Sequence, residues 1–527
     1  MKQNKILLSI LFAFLLIVIP SKALALTNLT QEDFDEVNEE KGISISEGDE
    51  YYLILESGEY VLDENIELND LIVIPDKEEV SIDLNGKMIS RKGEYPFVFG
   101  IDGKLTLTGK GNVGKEVEEL AEDSEDAVVM ESYHGELIID DIIVNGIVES
   151  NYGKLTIKKG TFNDVIYFNT SKLTIEDGIY NGLILGGKLD VTINGGKFNK
   201  SLRPLGIGIA IDDEADEPSQ EEAKELTAAP AITYMGGMIE PMPIDDDDTE
   251  TLINSLVIND GEFEGGMAAL RIWGMDNVTI NGGTFNANVD AVILTAQNIK
   301  VTGGIFKITE NALFTKYSKD ALRTAIGLNG ENIELSGGKF VSDENGYSMV
   351  ILGENDKVFE NALKDGYLYS DEISVKEYEY DEEVSEDEPS VWYLDNKEIM
   401  VIPEEGEYEI LEGADQEVKS SQNLTVRANG DISLFVKLLI DDKEVARDNY
   451  ELTEGSTIVT LNSSFLATLA TGKHNMTFVY KNGEVKTTFT INDTKNPATG
   501  DNILLYVGLL SLSVVGLVSY KLVRKAN

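Results

Sequence analysis

A short pattern of apolar and polar positions recurs through the middle of the chain. Two apolar residues flank one polar or β-branched residue, a few polar or glycine residues follow, and an aromatic residue closes the unit. Three copies spaced 18 residues apart are Leu155-Thr156-Ile157 with Phe162, Leu173-Thr174-Ile175 with Tyr180, and Val191-Thr192-Ile193 with Phe198. Later copies follow one another at spacings of 21 to 34 residues and end in Phe263, Phe285, Phe306 and Phe340.

The alternation within each unit predicts a short β-strand with one face directed inward. Repetition at this length predicts a solenoid, because a single unit cannot bury its apolar face until a neighbour stacks on it. The Asn-Gly-Gly and Asp-Gly steps between the strands provide turns that need positive φ. We therefore expect the recurring aromatic rings to stack on one another inside the core.

Three solenoids compete for this pattern. A leucine-rich repeat needs an Asn-x-Leu spacing, and a left-handed hexapeptide helix needs a six-residue apolar-glycine register, and neither is present. Coils of variable length with inserted loops favour a right-handed parallel β-helix. The units resemble the pectate-lyase-like β-helix repeats of many clostridial and bacillar surface proteins, over roughly residues 43–368. The predicted fold is all-β, with a β-helix domain at 26–370 and a capping helix within 27–41.

Two acidic segments interrupt the regular pattern. Residues 200–254 form a predicted insertion, with eight acidic residues within 212–225 and four aspartates at 245–248. A solvated excursion is one interpretation, and a loosely held calcium ion is the other, because calcium prefers several carboxylate oxygens. The sequence predicts no other metal and no cofactor. Residues 371–390 are a predicted linker, since repulsion between its carboxylates favours an extended chain.

Residues 391–492 follow a different pattern and predict a small β-sandwich. Longer alternating strands cover 434–440 and 476–480, with tight turns at Asp441-Asp442 and Asn482-Gly483. The series Tyr450, Gly455-Ser456-Thr457, Phe465-Leu466 and Gly472-Lys473-His474 resembles the immunoglobulin-like X2-type modules of bacterial surface and cellulosomal proteins. This resemblance implies a spacer or a stalk.

Residues 493–527 resemble the sorting signal of sortase-anchored Gram-positive surface proteins. The pentapeptide Asn496-Pro497-Ala498-Thr499-Gly500 precedes an apolar run at 503–520 and a basic tail. The run is long enough to span a bilayer, and the basic tail favours the cytoplasmic side. The resemblance implies transient membrane insertion, cleavage by a sortase between Thr499 and Gly500, and attachment to peptidoglycan. Asn496 replaces the commoner leucine, which leaves the sortase class open, and an uncut tail anchor is the alternative.

The amino terminus predicts export. Residues 1–25 contain two lysines, an apolar run at 6–19, and small residues Ala23 and Ala25 at a signal-peptide cleavage site. The expected mature form is secreted, begins at Leu26 and is anchored covalently to the cell wall.

The charge and composition narrow the classes of partner. The formal net charge is −52, and so acidic a surface repels phosphate backbones and excludes nucleic acid as a natural partner. The chain has no cysteine, which excludes thiol catalysis and thiolate metal sites.

Candidate catalytic residues are few. Asp140 and Asp141 are a possible acid–base pair, but they follow a predicted strand, where turn residues are expected, and the chain has only two histidines, His134 and His474. Arg271-Ile272-Trp273 matches two of the three positions of the Arg-Ile-Lys triplet of β-helix polysaccharide hydrolases. We therefore predict no catalytic residue and a non-catalytic adhesin or display protein that binds glycan or host matrix. A polysaccharide lyase or hydrolase and a purely structural wall component are the alternatives, and Trp273 and Trp392 are either sugar contacts or core residues.

Overall fold

The computed structural model describes residues 26–46, 52–93, 96–115, 128–187, 190–199, 254–310, 316, 322–378, 390–453 and 456–492, with three strands between 201 and 235. The predicted signal-peptide cleavage residues Ala23 and Ala25, the predicted sorting signal Asn496 to Gly500 and the apolar run 503–520 lie outside these ranges, as do the acidic residues of 212–225 and 245–248. The chain is all-β and divides into two compact units, Met1–Ile402 and Pro403–Asn527. In the part that the structure describes, no helix is long and apolar enough to cross a membrane.

The first unit consists of three ladders, in which each strand pairs in parallel with the equivalent strand of the next repeat. The first ladder includes Leu53–Leu55, Ile72–Ile74, Phe99–Ile101, Val128–Tyr133, Ile147–Asn151, Ile166–Asn169, Ile184–Gly187, Ile232–Met235, Thr324–Asn329 and Met349–Gly353. The second includes Thr27–Leu29, Gly58–Leu62, Glu79–Asp83, Lys104–Thr108, Lys172–Ile175, Asp190–Ile193, Ser255–Ile258 and Asn332–Leu335.

The third ladder carries the recurring aromatic residues. Its strands are Ile66–Leu68, Met88–Arg91, Asn112–Val113, Ile179–Tyr180, Lys197–Phe198, Glu262–Glu264, Thr284–Ala287, Ile305–Ile308 and Lys339–Val341. Longer strands take part in two ladders: Glu136–Val144 and Lys154–Phe162 in the second and third, and Ala268–Ile280 and Asp290–Val301 in the first and second. Each repeat thus contributes one strand to every ladder.

The predicted stacking of the aromatic residues is confirmed. Seven rings, Phe162, Tyr180, Phe198, Phe263, Phe285, Phe306 and Phe340, form a continuous column with centroids 4.5 to 5.2 Å apart and interplanar angles of 2 to 13°. All seven are at most 1% exposed. Burying one such side chain contributes about 1.5–3 kcal/mol, and stacking adds about 0.5–1.5 kcal/mol for each pair.

Asparagine side chains form a second kind of column, on the turns. The Nδ2 atoms of Asn163, Asn181 and Asn199 each donate to the Oδ1 atom of the asparagine one repeat earlier, starting from Asn145, at 2.7 to 2.8 Å. Asn259 and Asn281 continue a similar column from Asn194 at 2.7 and 2.8 Å. Each side-chain amide has both a donor and an acceptor. An asparagine repeated at the same turn can therefore hydrogen-bond to the asparagine of the next repeat along the whole column.

The acidic insertion and the acidic linker are shorter in the structure than the sequence suggests. Ile232–Met235 lies within the predicted insertion 200–254, yet it pairs with the first-ladder strands on both sides. Val375–Glu377 lies within the predicted linker 371–390 and pairs with Ser390–Leu394. The alternation of polar and apolar residues was too short in either strand to stand out against the surrounding acidic residues.

Both ends of the first unit are closed. At the amino-terminal end, helix Gln31–Asp35 buries Phe34 in the core, as the predicted capping helix requires, and the 3₁₀ turn Glu39–Lys41 follows it. At the other end, Ser390–Leu394 and Glu398–Pro403 pair antiparallel with Met349–Gly353 and Lys339–Val341. Helix Val358–Ala362 and the bridge between Leu335 and Leu363 cover the second ladder. Residues 391–402, assigned above to the second domain, thus belong to the first unit, because their backbone completes its edges.

The second unit has two sheets. One has the order Ile410–Glu412, Leu424–Ala428, Thr457–Leu461, Tyr450–Thr453, and the other has the order Gln416–Val418, Gly483–Ile491, Gly472–Tyr480, Phe435–Ile440, Lys443–Glu444. Short helical turns occur at Ile432–Leu434, Arg447–Asn449 and Ser463–Leu466. The predicted turn at Asp441-Asp442 is confirmed, since Ile440 pairs with Lys443. The second turn consists of Lys481 and Asn482, one residue earlier than predicted.

Candidate functional site

A long groove runs along the corner where the second ladder passes into the third. Its volume is about 990 Å3, and it extends from Lys110 to Thr284 across seven successive repeats. Segments that line it are Asp141 to Ile143, Lys159 to Thr161, Glu176 to Ile179, Gly195 to Lys197, and Asp260 to Glu262. Because the ladders are in register, equivalent positions of each repeat line the groove, and its surface repeats at the spacing of the strands. Such a shape fits an extended polymer better than a compact ligand.

Glycine residues form the floor of this groove. Gly178 and Gly261 have φ of +143° and +138°, and a Cβ atom would lie 2.9 Å from the Tyr180 hydroxyl oxygen or from a ring carbon of Phe263, respectively. A side chain is therefore excluded both by the backbone conformation and by the stacked column. The glycine of each repeat thus makes room for the aromatic column inside the core and leaves the groove outside it open.

Charged side chains of both signs line the walls. Lys159 Nζ lies 3.6 Å from Asp141 Oδ1, and Lys110 Nζ lies 3.9 Å from Asp141 Oδ2. Further along, Lys197 Nζ lies 3.9 Å from Glu262 Oε2. These pairs are well exposed, so each contributes little to stability and keeps its hydrogen-bonding capacity for a ligand. Donors and acceptors therefore alternate along the groove, and sugar hydroxyl groups, which both donate and accept, match this arrangement.

The structure separates the candidate catalytic residues. The prediction that Asp140 and Asp141 follow a strand is wrong, because both lie inside the continuous strand Glu136–Val144. A bulge shifts the register there, and Asp141 takes a φ of +60°. The bulge directs Asp141 to the groove, while Asp140 pairs with Lys158 at 3.5 Å. His134 lies before the strand, at the corner where the first ladder passes into the second. The sequence showed a turn signal here, but not the extra residue that a bulge accommodates.

The Arg271-Ile272-Trp273 triplet lies on the first ladder, away from the groove. The Arg271 guanidinium carbon is 4.7 Å from the centroid of the Trp273 ring, a cation–π contact. Asp290, which the sequence analysis missed, lies nearby, and burial raises its pKa to about 7 against the opposing charges of Arg271 and Arg323. No spacing in the sequence relates Asp290 to Arg271, because they occupy different positions on adjacent strands: Asp290 pairs with Ala268, and Arg271 pairs with Ile293.

The remaining candidates have structural partners. Trp392 donates from Nε1 to the carbonyl oxygen of Gly353 at 3.2 Å and packs against the core. His474 is buried in the second unit, with Nδ1 2.6 Å from Asp441 Oδ2 and Nε2 2.7 Å from the carbonyl oxygen of Ala470. Among the residues that the structure describes, no three acidic or histidine side chains are grouped so that they could hold a metal ion.

Comparison with known proteins adds little. No protein-family model matches the chain, and no curated protein matches it. Among solved structures, the chain is similar to the Bacteroides ovatus mixed-linkage glucan utilization locus SGBP-B in complex with a mixed-linkage heptasaccharide, with 16% identity and a TM-score of 0.13. The match covers 24% of this chain and 37% of that one, so the chain spans little more than a third of its length. A likeness at this TM-score supports no inference about fold or ligand.

Proposed function

We propose that this chain is a non-catalytic surface protein of a Gram-positive cell wall, which binds an extended, neutral glycan along the groove. The observation that carries this proposal is the groove itself, with its glycine floor and its lysines and carboxylates over seven repeats. The net charge of −52 repels polyanionic ligands, whereas neutral sugars are not repelled. Host-matrix protein is the alternative class of ligand.

The three ladders support a right-handed parallel β-helix of the pectate-lyase-like type as the architecture that presents this groove. Each strand pairs with its equivalent in the next repeat, and the aromatic residues stack along the same direction. Parallel strands joined through turns on three sides are the arrangement that this fold requires. The likeness concerns the scaffold and supplies no active site by itself.

The second unit fits the proposed role of an immunoglobulin-like X2-type spacer. One sheet has the order A-B-E-D, and the other combines C, F and G, as in immunoglobulin domains, when its strands are lettered in chain order. Its first strand divides between the sheets, and Gln416–Val418 pairs in parallel with the last strand, Gly483–Ile491. Such a unit needs no ligand to hold the glycan-binding unit away from the wall.

Binding is favoured over cleavage by the surroundings of the groove carboxylates. A general acid for glycoside hydrolysis works best in apolar surroundings that keep its proton. Asp141 and Glu262 instead face the ammonium groups of lysines, in positions open to water. Such pairs are suited to hydrogen bonding with hydroxyl groups, and we assign them that role.

The groove is tested with two substitutions of matched exposure. Ile179 lines the groove and is 44% exposed, whereas Ile305 occupies the same position of a later third-ladder strand, is 43% exposed and does not line it. We expect Ile179→Arg to weaken binding of residues 26–495 to its polysaccharide by at least tenfold, and Ile305→Arg to leave it unchanged, in a panel of neutral polysaccharides and matrix proteins. Equal binding by both variants, or new reducing ends in the polysaccharide, would contradict the proposal.

Wall anchoring is tested separately, because it depends on residues outside the described ranges. We expect Thr499→Ala to leave the chain in the membrane fraction of a sortase-bearing Gram-positive host, since the sortase would lack its cleavage residue. The unchanged sequence should be released only when peptidoglycan is digested. Equal distribution of the two proteins would favour an uncut tail anchor.

A further inference from the structure

Three aromatic rings meet where the first ladder passes into the second, at a different corner from that of the groove. The Tyr133 ring centroid lies 4.5 Å from that of His134 and 5.5 Å from that of Tyr152, in edge-on contacts. The His134 and Tyr152 rings face each other at 5.4 Å with a tilt of 31°. Tyr133 is 43% exposed, and His134 is also exposed, so this aromatic corner is open to solvent in spite of its apolar rings.

The backbone holds the aromatic corner in place. His134 and Tyr152 have φ of +65° and +59°, a conformation that costs energy for bulky residues. Their N–H groups donate to the carbonyl oxygens of Asn151 and Asn169, each one repeat further along, at 2.9 and 3.0 Å. The backbone beneath the rings is thus fixed, and the contacts between the rings restrict their side chains, which lowers the entropic cost of binding.

Hydrogen-bonding groups adjoin the rings. Asn151 precedes Tyr152 and pairs with Tyr133 in the first ladder. Asp102 occupies the same corner one repeat earlier, where burial raises its pKa and the nearby His134 charge acts in the opposite direction. Rings that are exposed, mutually supported and flanked by an amide and a carboxylate are the components of a sugar-binding surface, because a pyranose has an apolar C–H face and a rim of hydroxyl groups.

We propose that the aromatic corner of Tyr133, His134 and Tyr152 is a stacking platform for neutral β-linked hexopyranose units, separate from the groove. The proposal rests on the glycan-binding function proposed above and adds a second contact for the same class of ligand. Three rings are too small an area for a stable protein partner, which needs about 800 Å2 on each side. The neighbouring Asp102 and the acidic surface disfavour uronic acids.

The test uses affinity electrophoresis of residues 26–495 in gels with hydroxyethyl cellulose, a neutral β-linked glucose polymer. We expect Tyr133→Ala/Tyr152→Ala to raise the apparent Kd at least tenfold. Tyr133→Phe keeps the ring and should change the Kd by less than twofold, as should Ile305→Ala, which removes an equally exposed apolar side chain elsewhere. Unchanged circular dichroism and trypsin resistance identify variants that have folded.

The outcomes separate the platform from the groove. If the double variant binds like the unchanged protein while Ile179→Arg binds weakly, the platform is overturned and the groove function stands. If the unchanged protein ignores hydroxyethyl cellulose but binds another polymer of the panel through Ile179, the platform is again overturned. If the unchanged protein binds no polymer and no matrix protein, both proposals are overturned. If the double variant loses affinity for hydroxyethyl cellulose while Tyr133→Phe keeps it, the platform is supported.

Discussion

His474 shows how two neighbours can fix the charge of one residue. Its two ring nitrogens lie 2.6 Å from a carboxylate oxygen of Asp441 and 2.7 Å from the carbonyl oxygen of Ala470. Both atoms only accept, so both nitrogens must donate, and the ring carries two protons. Burial lowers the pKa of His474, but the bonds to Ala470 and Asp441 together raise it above its usual 6.5.

The second unit should therefore lose stability as the pH rises above about 6.5, the unfolded-state pKa of His474. A raised folded-state pKa means that the contribution of His474 is complete below about pH 6.5 and disappears as the pH rises through the folded-state value. We expect an NMR titration to place the His474 pKa above 6.5, and His474→Gln to remove this pH dependence from thermal unfolding of the second unit. The chain has two histidines, so His134→Gln assigns the signals. A His474 pKa at or below 6.5 would contradict the doubly donating ring.

Residues that face the core were predictable, and residues at corners were not. Alternation identified the inward positions of the repeats, such as Leu155 and Ile157, which are fully buried. Tyr133 and Tyr152 are 19 residues apart, close to the repeat length, but turn positions have no alternation that would mark the direction of a side chain. The aromatic corner and the bulge at Asp141 therefore became visible only with the backbone.

The aromatic column gives the third ladder its cohesion. An interior ring such as Phe263 contacts Phe198 at 4.5 Å and Phe285 at 4.6 Å, whereas Phe340 ends the described column and contacts Phe306 alone, at 5.0 Å. Both Phe263 and Phe340 are fully buried, so replacement by leucine removes a similar apolar area. The difference between them isolates the stacking energy.

We expect Phe263→Leu to lower the free energy of unfolding of the first unit by about 1 kcal/mol more than Phe340→Leu, the value of one additional ring pair. Urea unfolding followed by tryptophan fluorescence reports on this unit alone, because both tryptophans, Trp273 and Trp392, lie in it. Equal losses for the two variants would mean that burial, and not stacking, accounts for the stability that the rings contribute.

At the level of elements, prediction succeeded where a repeat was regular. The units with an intact apolar-x-apolar step became paired strands, and the helix at 31–35 appeared within the expected cap. Prediction was less successful where a short apolar segment is flanked in the sequence by acidic residues, as at Ile232–Met235. Strand pairing depends on a partner many residues away, and local composition carries no information about that partner.

The whole molecule divides at Ile402 and Pro403, later than the change of sequence pattern at 391 suggests. The sequence pattern was misleading because Ser390–Leu394 and Glu398–Pro403 pair antiparallel with the last strands of the first unit and so differ in character from the repeats. These two strands take up the edges of the first and third ladders, while Leu363 bridges the second. An unpaired ladder edge is a template for another chain.

We expect a protein ending at residue 378 to self-associate in a concentration-dependent manner, whereas one ending at residue 402 does not. The shorter protein lacks both closing strands but keeps every complete repeat, so the comparison isolates the edges. Light scattering after size-exclusion chromatography measures the difference. A monomeric, equally stable shorter protein would mean that the edges are protected in another way.

The antiparallel direction of the closing strands has a consequence for growth by duplication. A further repeat copied into the chain would have to enter before these strands, because they occupy the edges of the last repeat on which another repeat would have to pair. The two closing strands thus fix where the stack of repeats ends, however many repeats precede them. Relatives with longer or shorter stacks should therefore keep the same ending and differ in the number of repeats in front of it.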